Sequence, residues 1–263
     1  KRNLIYIFME SMESSYADQE DGGIMDDNYI PNLTKLAREN VQFTDKKDGK
    51  VGGPVCLEAT AYTAGGLVAQ TSAINLKVMN SGAVSDSFLP NLTALGDILN
   101  KQGYNQMFLC GSDGDFAGRD AYFKTHKDYQ IEDYKAAIKE GDIPKDYKVY
   151  WGHEDKVLYE RAKKNLKKLS KEGKPFNLTM LTVDTHFPNG YICDLCENKY
   201  DTTYGNAVAC ADRQVYDFVQ WIKKQDFYED TTIIIAGDHT SMVDTGSKFW
   251  KSLSNDYQRY IMQ

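Results

Sequence analysis

The sequence predicts an α/β fold: a mostly parallel central sheet with helices on both faces. Three observations predict it. Short apolar, β-rich runs alternate along the chain with longer stretches of helical periodicity. Runs such as Thr231-Thr232-Ile233-Ile234-Ile235-Ala236 are apolar at successive positions, as strands covered on both faces are. Polar, chemistry-bearing residues follow directly after the apolar runs, where the carboxyl ends of parallel strands form a binding crevice.

The elements read in order as follows. Leu4 to Met9 is a buried strand. A helix is predicted from Pro31 to Asn40, and another from Pro90 to Gln102, with Asn91 or a neighbour near its start and Gly103 as its stop. Pro-Asn-Leu-Thr stands at both 31–34 and 90–93, and both copies are read as helix openings, because proline suits the first helical position. Gln106 to Cys110 and Leu178 to Val183 are the next strands. Between them, Asp155 to Lys171 reads as a helix whose wet face carries Lys163, Lys164, Lys167 and Lys168. Tyr204 to Lys224 is a long helix, and Thr232 to Ala236 the last central strand. No linker or low-complexity stretch divides the 263 residues, so residues 1–263 read as one domain. The chain opens directly on a strand and stops inside the strand-like Tyr257–Gln263, which reads as a piece of a longer protein, incomplete at its C-terminus.

Lys and Arg number 31 against 38 Asp and Glu, a formal charge of −7 that argues against a nucleic-acid partner. An anionic substrate stays open, because a metal ion and one arginine can reverse the local sign. No run is long and apolar enough to span a bilayer. Of five cysteines, Cys193 and Cys196 form one C-x-x-C, and Cys210 follows. A structural zinc site usually has four ligands, often as two such pairs, so a loop-stabilising disulfide within the trio is the reading preferred, with free thiols the alternative.

Four strand ends deliver acids, histidines and an arginine. Glu10 and Ser11 follow the first strand; Asp113, Asp115 and Arg119 the second; Asp184, Thr185 and His186 the third; Asp238 and His239 the fourth. Glu10, Asp238 and His239 would give a metal two carboxylates and an imidazole, which suits Mn²⁺, with Mg²⁺ or Zn²⁺ as alternatives. A nucleophile is offered by Thr63 in Ala61-Tyr62-Thr63-Ala64-Gly65-Gly66, with Thr60 and Thr71 as rivals. A threonine hydroxyl needs a metal or base to attack.

Together these residues resemble the phosphoglycerol transferase and lipoteichoic acid synthase family of the alkaline phosphatase and sulfatase superfamily, over nearly the whole chain. Asn3–Ser11 resembles the opening strand with its metal-binding Glu10. Thr63–Gln70 resembles the nucleophile helix and selects Thr63, which the resemblance also makes a metal ligand beside Glu10, Asp238 and His239. Gly111–Asp120 resembles the phosphate-contacting loop, giving Arg119 and Asp113 as substrate-binding residues. Thr185-His186-Phe187-Pro188 resembles the substrate-binding histidine motif, and Trp151–Asp155 a further segment in which Asp155 is read as a helix cap. Cys56 is followed by Glu58 and Thr60 where the sulfatase signature has Pro and Arg, which disfavours formylglycine chemistry.

The resemblance implies an alkaline-phosphatase/sulfatase-like fold and one divalent metal, Mn²⁺ before Mg²⁺ or Zn²⁺. It implies transfer of phosphoglycerol from a phosphatidylglycerol-like lipid to a glycan or polyglycerolphosphate acceptor through a phospho-Thr63 intermediate, with His186 binding the group or moving a proton. It also implies a catalytic domain on the outer face of the bacterial cytoplasmic membrane, anchored by segments outside this chain. The alternatives are phosphoethanolamine transfer, a phosphodiesterase or sulfatase-like hydrolase, and a non-catalytic domain that binds cell-wall polymer.

Overall fold

In the computed structural model, residues 1–44, 49–76, 87–127, 129–250, 253–254 and 257–263 are described. Five parallel strands form one sheet in the order β3-β2-β4-β1-β5. They are β1 (Asn3–Met9), β2 (Asn105–Cys110), β3 (Gln130–Glu132), β4 (Phe176–Leu181) and β5 (Thr231–Gly237).

Alternate residues of each strand enter opposite layers, as a pleated sheet requires. Ile5, Ile7, Met9, Met107, Leu109, Leu178 and Met180 pack into one core. The helices covering it are α1 (Pro31–Glu39), α6 (Asp155–Leu169) and α7 (Thr203–Ile222), through Leu33, Leu158, Leu166, Val208, Val215 and Phe218 among others. Tyr6, Phe8, Phe108, Cys110 and Leu181 face the other core. There they meet α2 (Thr63–Ser72), α3 (Leu95–Lys101) and α4 (Arg119–Thr125) through Leu67, Val68, Leu95, Tyr122 and Phe123. The predicted helix-sheet-helix layering is therefore the observed one.

Four local expectations are corrected. Pro31 does open α1, but Pro90 opens no helix. Leu89 takes a left-handed φ of 54°, residues 90–94 turn, and α3 starts at Leu95 with the Asp97 carboxylate accepting the Ala94 N–H at 2.9 Å. The strand expected to end at Val183 ends at Leu181, because the Val183 N–H is taken by the Asp155 carboxylate at 2.8 Å instead of a neighbouring strand. The run from Tyr257 forms no sheet strand. It makes single antiparallel bridges, Ile261 with Glu13 and Tyr260 with Val55, and the Gly237 N–H donates to the Met262 carbonyl at 2.7 Å. Finally, β3 and α5 (Tyr134–Glu140) were not foreseen; three residues are too few to show a period.

Candidate active site

The sheet order determines what meets at its carboxyl edge. β1 and β5 are neighbours with Met9 opposite Gly237, so Glu10 and Asp238, the next residue of each, leave the sheet side by side. Both are buried, at 2% and 0% exposure, as is His239 at 1%. Ser11, at a left-handed φ of 51°, turns its N–H onto Asp238 Oδ1 at 2.8 Å and its hydroxyl onto Glu10 Oε1 at 2.7 Å.

Each group is aimed. Asp238 Oδ1 also accepts the His239 N–H at 2.8 Å, whereas its buried Oδ2 has no hydrogen-bond partner. The His239 Nδ1 proton goes to the Thr240 carbonyl at 2.8 Å, which turns Nε2 inward. That nitrogen stands 3.3 Å from Glu10 Oε1 and 3.5 Å from Asp238 Oδ2. Ligand atoms bound at about 2.1 Å to a common ion lie about 3.0–3.4 Å apart, so the spacing and the unpartnered carboxylate oxygen fit a divalent cation.

The electrostatics agree. Burial would raise the pKa of Glu10, but the His239 charge beside it holds it down at about 2. Burial, then the Glu10 charge, lifts Asp238 to about 7. Burial opposes charge on His239 too, yet Asp238 and Glu10 together push it up to about 10.

Thr63 is the first residue of α2, and its hydroxyl donates to Glu10 Oε2 at 3.2 Å, with His239 Nε2 at 3.5 Å. The rivals lie elsewhere. Thr60 closes a turn on Leu57, and Thr71 bonds back to the Leu67 carbonyl within its own helix.

A cleft opens beside Thr63 and Glu10, lined by Ser112, Asp113, Phe116, Arg119, Lys148, Tyr150, Trp151 and His186 among others. Arg119 is 6% exposed and held as a fork, donating to the Phe116 carbonyl at 3.0 Å, Ser112 Oγ at 3.0 Å and the Asp113 carbonyl at 2.7 Å. Asp113 lines the cleft, but its Oδ1 stands 3.7 Å from Lys135 Nζ. His186, half-buried, lies against the Trp151 ring at 4.9 Å, and its carbonyl accepts the Tyr150 hydroxyl.

Asp155 corrects the capping expectation. Its carboxylate accepts the Val183 and Asp184 N–H groups at 2.8 and 3.1 Å, and it is Asp184 that accepts the first N–H of α6, at 3.2 Å. Burial raises the pKa of both, Asp155 to about 7 and Asp184 to about 10. Ser112, Tyr150 and Lys148 had not been singled out. Ser112 sits two residues after the end of β2, a signal that proximity to the strand end could have supplied. Three cysteines also converge, but as thiols and not as the expected disulfide.

The family model described as Sulfatase matches residues 2–259. Phosphoglycerol transferase I of Salmonella choleraesuis (strain SC-B67) is 33% identical over 275 residues, covering 100% of this chain and 34% of that protein. The protein of the same name from Salmonella newport (strain SL254) is also 33% identical, with the same coverage. The chain thus spans about a third of the length of these curated relatives. Among solved structures, the lipoteichoic acid synthase LtaP from Listeria monocytogenes superposes with a TM-score of 0.75 at 19% identity, covering 99% of this chain and 64% of that one. An alkaline phosphatase superfamily protein from Vibrio parahaemolyticus gives 0.73 at 23% identity, covering 100% and 59%. The periplasmic domain of EptC from Escherichia coli, in complex with Zn, gives 0.62 at 14% identity, covering 99% and 71%.

Proposed function

The chain belongs to the sulfatase family, and on that premise we propose that it moves phosphoglycerol from a phosphatidylglycerol-like lipid to a glycan or polyglycerolphosphate hydroxyl through a phospho-Thr63 intermediate. One observation carries the reading: the Thr63 hydroxyl lies between the Glu10–Asp238–His239 cluster and a cleft lined by Arg119 and His186. The 33% identity to phosphoglycerol transferase I supports the group transferred.

Glu10, Asp238, His239 and Thr63 would hold one divalent metal, for which two carboxylates favour Mn²⁺. When bound, that ion lowers the pKa of the threonine hydroxyl and offsets charge on the phosphoryl oxygens. Thr63 Oγ1 passes its proton to solvent and attacks phosphorus, the bond to the diacylglycerol oxygen breaks, and that oxygen leaves as the protonated alcohol. Arg119 donates from Nη1 to a non-bridging oxygen, because its Nε and Nη2 hydrogens go to three protein acceptors that fix the guanidinium plane in advance. His186 contacts the glycerol phosphate or passes a proton to the departing alcohol. An acceptor hydroxyl then attacks the phosphothreonine, and the Thr63 Oγ1–phosphorus bond breaks.

Asp113 contributes to substrate binding as part of the cleft wall. No helix among the described residues is long and apolar enough to cross a membrane. The proposal places the domain beside its lipid donor on the outer face of the cytoplasmic membrane.

Mass spectrometry of the protein incubated with Mn²⁺ and phosphatidylglycerol tests the proposal. A glycerophosphoryl group on Thr63, absent from Thr63→Ala, is expected. Turnover with Thr63 unmodified on rapid quenching overturns the intermediate, and faster turnover of phosphatidylethanolamine overturns the headgroup.

A further inference from the structure

The segment that follows His186 leads to a second cluster of ligand-type side chains, separate from the catalytic one. Cys193 and Cys196 lie in a turn before α7, and Cys210 lies on α7. Cys193 Sγ is 3.6 Å from Cys196 Sγ and 4.0 Å from Cys210 Sγ, and all three sulfurs lie within 4.8 Å of one another. Tetrahedral zinc–thiolate bonds of about 2.3 Å set sulfur–sulfur edges of about 3.8 Å. A disulfide needs about 2.05 Å.

The surroundings suit ligating sulfurs. The backbone N–H groups of Leu195 and Cys196 face the Cys193 sulfur. The turn that wraps these N–H groups around the sulfur is closed by the Cys196 N–H on the Cys193 carbonyl at 3.1 Å. On α7, Gln214 Nε2 and Arg213 Nη2 point at Cys210 Sγ from 3.5 and 4.0 Å. Outer donors of this kind stabilise charge on a ligating sulfur. The acids next to these cysteines in the chain are occupied: Asp194 pairs with Lys156 at 2.7 Å and Glu197 with Arg213 at 2.8 Å. Cys196 is half-buried, so a fourth ligand position opens to water on its side.

We propose that Cys193, Cys196 and Cys210 bind a thiophilic metal ion, Zn²⁺ fitting best, which fastens the segment carrying His186 to α7. Three sulfurs select a soft ion, whereas the oxygen-rich Glu10 cluster selects a harder one, so the two sites divide different metals between them. The other end of the segment is already pinned: the Tyr191 N–H bonds the Asp184 carbonyl at 2.7 Å, and the Gly190 N–H bonds the His186 carbonyl at 3.0 Å. The thiolate site closes its far end.

Co²⁺ titration of the whole reduced, metal-free chain reads this site separately from the catalytic one. A sulfur-to-cobalt charge-transfer band that saturates at one equivalent and is displaced by Zn²⁺ is expected. It persists in Asp238→Asn, because oxygen and nitrogen ligands give no such band, and disappears in Cys210→Ser. Should Cys210→Ser not fold, alkylation of the wild type decides, with Zn²⁺ protecting three cysteines and a chelator exposing them. No thiolate band in the reduced wild type overturns the proposal. So does peptide mapping that finds two of the three cysteines joined in a disulfide, with no zinc, in protein isolated under thiol-trapping conditions. Neither result bears on whether Thr63 becomes phosphorylated.

Discussion

Gly66 of α2 lies so close to Asp238 that a Cβ on the glycine would fall 2.0 Å from the Asp238 carbonyl oxygen. Three residues from Thr63, this contact sets the distance between α2 and the strand end that bears Asp238, and Gln70 of the same helix donates to the Gly237 carbonyl at 2.9 Å. Gly66→Ala must push α2 away from backbone that cannot yield. It is expected to cost about 1–3 kcal/mol of stability by overpacking. Metal affinity and transfer should fall together with it, as read by chemical denaturation and by metal titration.

The unpartnered Asp238 Oδ2 makes a sharper prediction. Asp238→Asn keeps the Oδ1 contacts with Ser11 and His239 but replaces the inward oxygen with an amide. Mn²⁺ affinity, measured calorimetrically, should fall by more than about 10-fold, since even residues that only orient ligands are worth 10–100-fold. A chelator should abolish transfer by the wild type, and added Mn²⁺ restore it.

Arg119→Lys keeps the positive charge but loses the planar fork that spans Phe116, Ser112 and Asp113. If the guanidinium stabilises charge that builds in the transition state, kcat should fall by about 10²-fold with less change in KM. A change in KM alone would reassign Arg119 to ground-state binding.

His153 is fully buried behind the cleft wall, with its Nδ1 3.2 Å from the Glu154 carbonyl and its Nε2 without a partner. Burial pushes its pKa from 6.5 down to about 4. The unfolded chain therefore binds a proton before the folded one does. Its contribution is complete above pH 6.5 and lost as the pH falls towards 4, about 3 kcal/mol in all. The stability difference between wild type and His153→Gln, which cannot titrate there, should shrink by about that amount over this window in urea denaturation.

Arg259 Nε donates to Glu13 Oε2 at 2.7 Å, and its Nη2 reaches the Ser241 carbonyl at 2.8 Å, while Glu13 Oε1 accepts the Ser241 N–H at 3.1 Å. This pair, with Glu13 fully buried and Arg259 half-buried, ties the segment around Arg259 to the loop just past His239. Arg259→Met strands the Glu13 carboxylate and should cost about 3–5 kcal/mol. The double change with Glu13→Gln should recover part of that, as a double-mutant cycle will measure.

The apolar runs and their periods determined the element types. Ile5–Met9 have no solvent face, and the long amphipathic patterns of α6 and α7 mark covering helices. The equally apolar Thr231–Ala236 reads as a central strand, but β5 lies at the sheet edge, where Ile233, Ile234 and Ile235 are only half-buried. The strand-end residues were equally legible, because Glu10, Asp238 and His239 follow their strands directly in the chain. Local pattern carries no record of which strand lies beside which. Only the order β3-β2-β4-β1-β5 made Glu10 and Asp238 neighbours, and the packing of α2 on that edge is what sets Thr63, already selected over Thr60 and Thr71 by the family resemblance, against Glu10. The same limit explains Asp155, whose partners Val183 and Asp184 lie 28 and 29 residues away. It explains Pro90 as well, where a left-handed Leu89 and the Asp97 contact to Ala94 overrode a favourable helix-start signal. Propensity and period act over a few residues, whereas strand order and the meeting of three cysteines are decided by burial across the whole core.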